Sequence, residues 1–297
     1  MQRALVVFGL GYSGRAIAAA ARAAGWPVAV VSRGAGDAMG VPIVPFADPT
    51  PALADATHVV LTAAPAEAGD PVLVAHEKAL AEAPKLTWIG YLSTTGVYGD
   101  RGGAWVTEAD PPAPSKPQSV ARRAAEEAWA AFAARRGAAL DLIRLAGIYG
   151  PGRSPFDDLR AGRARRIVKP GHAFNRIHVA DIAGLVLAAA AHPGEVGRAR
   201  VLHGVDDEPA PQADVVAEAA RLLGVPAPPE IPFAEAARTM SPMALGFWSE
   251  NRRVANALTK AATGWAPRYP SYREGLAAIL AEEGREGAGE QGEIGRA

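Results

Sequence analysis

The chain contains no cysteine. That excludes disulfides, thiolate nucleophiles, zinc–thiolate sites and thiol-ligated iron–sulfur clusters. Neither charge is in excess: 31 Lys and Arg stand against 31 Asp and Glu, a formal net charge of zero. There is thus no global attraction to nucleic acid or to an anionic membrane, although a local patch is not excluded. Aromatic residues make up only 6% of the chain, and their scatter gives no stacking platform for single-stranded nucleic acid. No apolar run approaches the roughly 18 residues of a membrane span. The N-terminal stretch has an early Arg and many small apolar residues, as a signal peptide does. Gly9, Gly11 and Gly14 break its apolar run, however, and Arg15 sits inside it. The expected compartment is the cytoplasm, with no membrane and no nucleic-acid partner.

Apolar material is ample, at 49% of 297 residues, enough for a sizeable core. At roughly 150 residues per domain, the length allows one large α/β domain or about two units. The first half alternates short apolar runs with alanine-rich helical stretches. Strands are predicted at Ala4–Phe8, Val28–Ser32, Pro42–Phe46, Thr57–Thr62, Leu86–Leu92 and Leu140–Leu145. Helices are predicted at Tyr12–Ala24, Pro71–Glu82 and Gln118–Arg135. Strands without polar alternation, mostly separated by helix-length segments, predict a parallel sheet covered on both faces. The fold class is α/β: a doubly wound, Rossmann-like parallel sheet with a smaller C-terminal lobe.

After about Gly150 the rhythm changes, and Pro, Gly and Arg become frequent. Helices are expected at Val179–Ala191, Ala213–Leu223, Asn251–Ala261 and Tyr272–Glu283, with a short strand at Arg200–His203. The division expected is a dinucleotide-binding domain over 1–150, to which 175–205 returns, and a substrate lobe over 151–283. The Gly/Glu-rich segment 284–297 reads as a flexible tail.

Gly9-Leu10-Gly11-Tyr12-Ser13-Gly14 follows the first strand at once and opens the first helix. This is the context in which G-x-G-x-x-G binds a dinucleotide. Gly9 allows the tight turn, Gly11 lets backbone approach a pyrophosphate, and Gly14 lets helix and strand pack closely. The helix then presents free N–H groups and a positive dipole end to the phosphates. The second strand ends Val31-Ser32-Arg33, without the carboxylate that would hold the 2′-hydroxyl of NAD. An arginine there attracts a 2′-phosphate, so NADP is expected, with NAD the alternative. Asp48, after the third strand, is a candidate partner for the adenine amino group and equally a turn residue before Pro49.

Four segments then bring a family into view: the glycine turn, Leu92-Ser93-Thr94-Thr95-Gly96-Val97-Tyr98-Gly99, Ile148–Arg153, and Phe174–Asp181. In order and spacing the chain resembles the short-chain dehydrogenase/reductases in their extended or atypical form, which include the NAD(P)-dependent epimerase/dehydratase group. The resemblance implies a dinucleotide domain followed by a part that covers a small substrate. It implies that Thr94 bonds the substrate oxygen at the hydride-transfer carbon, and Thr94 does follow the carboxyl end of a strand, where open sheets bind ligands. It also implies a Tyr-x-x-x-Lys acid/base pair on the following helix. Here Gln118 and Arg122 occupy those positions, or Ser119 and Arg123 in a neighbouring register. Glutamine does not titrate and cannot be a general acid or base, whereas Arg122 could still hold ribose hydroxyls. The proton would come from Tyr98, Tyr149 or His178, or from water beside Thr94, or the protein binds its cofactor without turnover.

Arg160, Arg163, Arg165, Arg166 and Lys169 form a local basic run, followed by His172, Arg176 and His178. The run itself reads most simply as a solvated loop. Arg176, His178 and Tyr149 are the candidate substrate contacts, with Arg176 on an anionic group. No ligand spacing marks a metal site. The expected activity is that of an NADP-preferring oxidoreductase on a small, anionic molecule. A non-catalytic NADP-binding sensor, and a nucleotide-sugar epimerase or dehydratase with retained cofactor, are the alternatives. A homodimer through the Gln118-bearing helix and its neighbour is possible.

Overall fold

A computed structural model describes residues 3–34 and 40–294, with side chains described through residue 285. The first half runs β1 (Leu5–Phe8), α1 (Tyr12–Ala23), β2 (Val28–Ser32), β3 (Ile43–Pro45), α2 (Thr50–Leu53), β4 (His58–Leu61), α3 (Pro71–Glu82) and β5 (Trp88–Thr94). It continues with β6 (Trp105–Val106), α4 (Pro117–Arg136), β7 (Ala139–Leu145) and β8 (Gly147–Tyr149). The second half holds α5 (Pro155–Arg160), β9 (Arg166–Val168), β10 (Arg176–His178), α6 (Val179–Ala191), β11 (Ala199–Gly204), α7 (Gln212–Leu223) and β12 (Glu230–Pro232). It closes with α8 (Phe233–Ala236), α9 (Pro242–Trp248), β13 (Arg253–Val254), α10 (Ala257–Thr263) and α11 (Tyr272–Ile294).

Seven strands form one parallel sheet in the order β11-β7-β5-β4-β1-β2-β3. β1 pairs with β2 on one side (Leu5 opposite Val28) and with β4 on the other (Leu5 opposite His58). Chain direction across the sheet thus reverses at β1, and a crevice opens beyond the carboxyl ends of β1 and β4. Alternation along the strands explains why the sequence shows no polar face. Leu5 and Val7 of β1 pack with Ile17 of α1 and Ile182, Leu185 and Val186 of α6. Val6 and Phe8 point the other way, into a cluster with Val72 and Leu80 of α3 and Trp129 and Phe132 of α4. Each strand is covered twice, so both of its faces are apolar.

The return of the chain through β10, α6 and β11 completes the sheet. The remainder forms a smaller C-terminal region. Phe156 of α5, Val215 and Ala219 of α7, and Tyr272, Leu276 and Ile279 of α11 make its core. Three two-stranded parallel pairs, β8–β10, β9–β12 and β6–β13, stitch distant segments together. Two local expectations change. Residues 251–256 are not helical: Arg253 and Val254 pair with Trp105 and Val106, and the helix starts only at Ala257. The last helix continues to Ile294 instead of giving way to a tail at residue 284. No proline interrupts this stretch, and interior glycine costs only about 1 kcal/mol each in a helix; residues 295–297 lie outside the described residues. No helix among the described residues is long and apolar enough to cross a membrane.

Candidate active site

The glycine turn lies at the carboxyl end of β1. Gly9 has φ of 115°, a left-handed value that favours glycine, and a Cβ there would collide with Thr62 Oγ1. A Cβ on Gly14 would drive into the Gly9 carbonyl oxygen, so helix and turn pack backbone to backbone. Gly11 is different: nothing stands within 4 Å of an added Cβ, and its side faces open space. Gly11 is also the N-cap of α1 and supplies no side-chain cap. The first N–H groups of α1 therefore face the crevice with the positive end of the helix dipole behind them. These features fit a dinucleotide pyrophosphate.

The other proposed cofactor residues divide. Arg33 is exposed at the end of β2. Ser32 Oγ accepts from Gly34 N at 3.2 Å, bracing the turn that carries Arg33. Tyr12 does not turn toward the glycine loop: its hydroxyl donates to Pro151 O at 2.9 Å, fastening α1 to the loop after β8. Ser13 lies half-buried in the first turn of α1. Asp48 is the turn residue of its two readings, since Oδ1 accepts from Thr50 N at 3.0 Å, an Asx turn that opens α2.

Thr94 ends β5 and lines a cavity of about 860 Å³ between the sheet edge and the C-terminal region. Its Oγ1 accepts from Gly96 N at 3.0 Å, which starts a 3-10 turn and leaves the hydroxyl proton to donate elsewhere. Gln118 does not join it. Gln118 is exposed and does not line the cavity. The next residue, Ser119, is buried instead, and a Cβ on Gly96 would lie 2.8 Å from Ser119 Oγ and 3.2 Å from Thr94 Oγ1. The two hydroxyls thus flank one glycine, in the neighbouring register. Arg122 points into the sheet edge: Nη1 donates to Ala63 O (3.0 Å), Leu92 O (3.0 Å) and Tyr91 OH (3.2 Å). It ties α4 across the ends of β4 and β5, beside the crevice.

Three of the named aromatic and imidazole candidates have other work. Tyr98 is fully buried and does not line the cavity. Its hydroxyl meets His203 Nε2 at 2.6 Å and Arg144 Nη1 at 2.7 Å, so it is held inside a polar core network rather than offered to a ligand. His178 does not contact the cavity either. It is the N-cap of α6, with Nδ1 accepting from Ala180 N at 3.2 Å, and burial lowers its pKa to about 4. Tyr149 does line the cavity, but burial pushes its hydroxyl far above the ordinary value, and that group points to Ser271 O at 3.4 Å. None of these is poised to exchange a proton near neutrality.

Arg176 lines the cavity as expected for an anion contact. Its Nη1 donates to Phe174 O (2.9 Å) and Ala210 O (3.0 Å). Burial lowers the guanidinium pKa, opposed by Asp206. Asp206 is itself pushed up to about 8 by burial, with Arg176 pulling it down. Among the described residues no carboxylate lies within 4.0 Å of Arg176. The basic run, by contrast, is largely engaged on the surface: Arg160 with Glu283, Arg163 with Asp158, Arg166 with Glu230.

Sequence reasoning missed several lining residues. Lys116, on the threshold of α4, meets Glu250 Oε2 at 3.1 Å and the Gly246 carbonyl oxygen. Arg252 reaches the same carboxylate oxygen at 2.8 Å. Phe174 and Arg153 sat inside segments already singled out, yet neither was assigned to the site. Trp248 also forms part of the cavity wall.

Comparison with known proteins agrees with this architecture. The profile of the NAD dependent epimerase/dehydratase family matches residues 4–202. A functionally unknown conserved protein from Silicibacter pomeroyi is 42% identical, with a TM-score of 0.84, over 95% of this chain and 99% of that one. Human epimerase family protein SDR39U1, solved with NADPH, shares the fold at 20% identity, TM-score 0.69, over 93% of this chain and 98% of that one. Among curated proteins, a 3-diazoavenalumate denitrifying reductase from Streptomyces sp is 34% identical over 141 residues. That match spans 46% of this chain and 45% of the relative, less than half of either.

Proposed function

The chain belongs to the NAD dependent epimerase/dehydratase family, and from that premise we propose that it is an NADP-preferring oxidoreductase acting on a small anionic substrate. The observation that carries this reading is the uncapped N-terminus of α1 in a glycine turn that leaves no room for a Cβ at Gly9 or Gly14 and opens freely at Gly11, beside a cavity that Thr94 enters from the carboxyl edge of the sheet. A bound nicotinamide dinucleotide supplies or accepts the hydride. Gly9, Gly11, Gly14 and the first amides of α1 hold its pyrophosphate. Arg33, exposed at the end of a strand that closes Val31-Ser32-Arg33 without a carboxylate, attracts the 2′-phosphate. Arg122 braces the crevice where the nicotinamide ribose would lie. Thr94 hydrogen-bonds the substrate oxygen through its hydroxyl, and Arg176 holds the substrate's anionic group. The curated relative's name describes a reductase, which favours net reduction over epimerisation.

With no tyrosine at position 118, the proton delivered to the substrate oxygen comes from water beside Thr94. The exposed Gln118 also favours a second reading, a protein that binds its dinucleotide without turnover. A retained dinucleotide in the spectrum of the purified protein would favour the third, an epimerase or dehydratase that recycles it. Steady consumption of added NADPH separates the first from both.

The first test is a calorimetric titration of the apo protein with NADPH and with NADH. The expected outcome is tighter NADPH binding. Arg33→Ala should weaken NADPH by about 10- to 100-fold and NADH little, since a charge-assisted contact contributes about 1.5–3 kcal/mol. Binding of neither dinucleotide would make the glycine turn purely structural and remove the oxidoreductase reading.

A further inference from the structure

Several of the cavity's polar side chains are already engaged within the protein. Asn175 lines it, but its amide donates to Arg252 O at 2.9 Å and accepts from Val254 N at 2.8 Å. Gln212 accepts from Ile167 N at 2.9 Å and donates to Arg165 O at 2.7 Å. Glu250 is gripped by Ser115, Lys116 and Arg252. Ser154 and Asp157 close the capping box of α5 on each other's backbone. Asn175, Gln212, Glu250, Ser154 and Asp157 are thus engaged within the protein, while among the described residues the Thr94 hydroxyl proton and the Arg153 guanidinium, which also line the cavity, are not hydrogen-bonded. A polyhydroxylated ligand would find no partner in those five side chains for the water it loses, at a cost of about 1–3 kcal/mol for each group left unpaired.

The walls offer something else. Phe174 and Trp248 stand edge to face, centroids 4.9 Å apart at 88°. Phe247, 68% exposed, adds a third aromatic ring at the opening. Ile148, Val215, Val216 and Leu276 extend the apolar lining. Arg176 adjoins this wall, its Cζ 5.9 Å from the Phe174 ring centroid, and among the described residues no carboxylate comes within 4.0 Å of it. Arg176 is half-buried, and a ligand anion on the cavity side would pair with it directly.

We propose that this cavity takes a planar aryl carboxylate, its ring packed against Phe174 and Trp248 and its carboxylate on Arg176, rather than a nucleotide sugar. The proposal rests on the reading of the cavity as the substrate site of a dinucleotide-dependent enzyme. Aromatic contact in a T-shaped or offset arrangement contributes about 0.5–1.5 kcal/mol beyond burial. Planar carboxylate meets planar guanidinium in two parallel hydrogen bonds.

The test is calorimetric titration of the full chain with four probes: trans-cinnamate, cinnamamide, 3-cyclohexylpropionate and UDP-glucose. Cinnamate is expected to bind, with cinnamamide about 10-fold weaker for want of the charge and 3-cyclohexylpropionate several-fold weaker for want of the flat ring. Arg176→Met should cost cinnamate about 10-fold and leave cinnamamide unchanged. Phe174→Leu, at a half-exposed ring, keeps the test usable where the arginine variant does not fold. It should weaken cinnamate and spare 3-cyclohexylpropionate. UDP-glucose binding tighter than cinnamate, equal binding of cinnamate and its amide, or no cinnamate binding at millimolar concentration would each overturn the proposal. The same preparations are titrated with NADPH. NADPH binding without cinnamate binding sinks only the ligand class, whereas failure of wild-type NADPH binding sinks the reading beneath it.

Discussion

His178 shows how one residue's surroundings set its role. Its ring lies between Tyr149 and Tyr269, with centroids 5.2 and 4.4 Å away, and its Nδ1 caps α6. Protonation would destroy the acceptor and charge a buried ring. The folded-state pKa, about 4, lies below the ordinary 6.5. Between those values the unfolded chain binds more protons, so this group's contribution to stability falls as pH drops from 6.5 toward 4. Asp181 and Asp206 act oppositely: burial raises them to about 6 and about 8, and their contributions fall as pH rises through those ranges. Comparison of wild type with His178→Asn cancels the aspartates. Asparagine caps without titrating. Urea unfolding from pH 7 to 4 should show a shallower acid-side loss in the variant; parallel curves would mean the ring is solvated in the folded state. The imidazole looked like a ligand contact in sequence because a motif gives order, not direction.

At the scale of elements, α1 and α4 fix the site in different ways. The turn into α1 is steric. Gly14→Ala must push the Gly9 carbonyl, and overpacking of that kind costs about 1–3 kcal/mol. A lowered thermal midpoint and loss of dinucleotide affinity together are expected for Gly14→Ala, whereas Gly11→Ala, facing open space, should keep its stability. Similar stability for both would contradict the packing described. The turn into α4 is a matter of rotation. Successive helical residues point about 100° apart, so a one-residue change of register decides which side chain meets the cavity. Sequence alignment to a Tyr-x-x-x-Lys pattern cannot supply that rotation, and the packing of Ser119 beside Gly96 does. Further along, Glu126 holds α4 to β7 through a buried pair with Arg144 (2.8 Å) and accepts from Ser93 Oγ (2.6 Å). Glu126→Gln should lower stability by about 3–5 kcal/mol in chemical denaturation, because it strands a buried cation. Glu126→Leu combined with Arg144→Met should recover much of that loss; no recovery would locate the cost in the shape of the core instead.

For the whole molecule, the seven-stranded sheet and the C-terminal region share the cavity between them. Thr94 and Leu145 come from the sheet's carboxyl edge, and Val215, Tyr272 and Leu276 come from helices far along the chain. Leu276 is fully buried at the junction of α11 with α5 and α7. Leu276→Ala should cost about 2–5 kcal/mol. Because Leu276 also lines the cavity, ligands there should weaken more than the dinucleotide proposed for the crevice at β1 and β4. Equal loss of both in titrations of one preparation would show that the two regions unfold as a unit.

The sequence by itself determined the sheet and its helices, because apolar runs, glycine stops and helical spacing are local signals that neighbours in the chain settle. It determined the dinucleotide turn for the same reason: three glycines, a strand before and a helix after lie within a few residues. It missed the helix beyond residue 284, since glycine-rich composition argued for a tail and only weakly disfavours helix. The tertiary structure alone decided which side chains share the cavity. Lys116, Glu250 and Arg252 come together over more than a hundred residues of chain, and Asn175 and Gln212 lose their amides to backbone groups remote in sequence. No periodicity records such partners, because hydrogen bonding and burial depend on distances in space that the fold creates only once its core has closed.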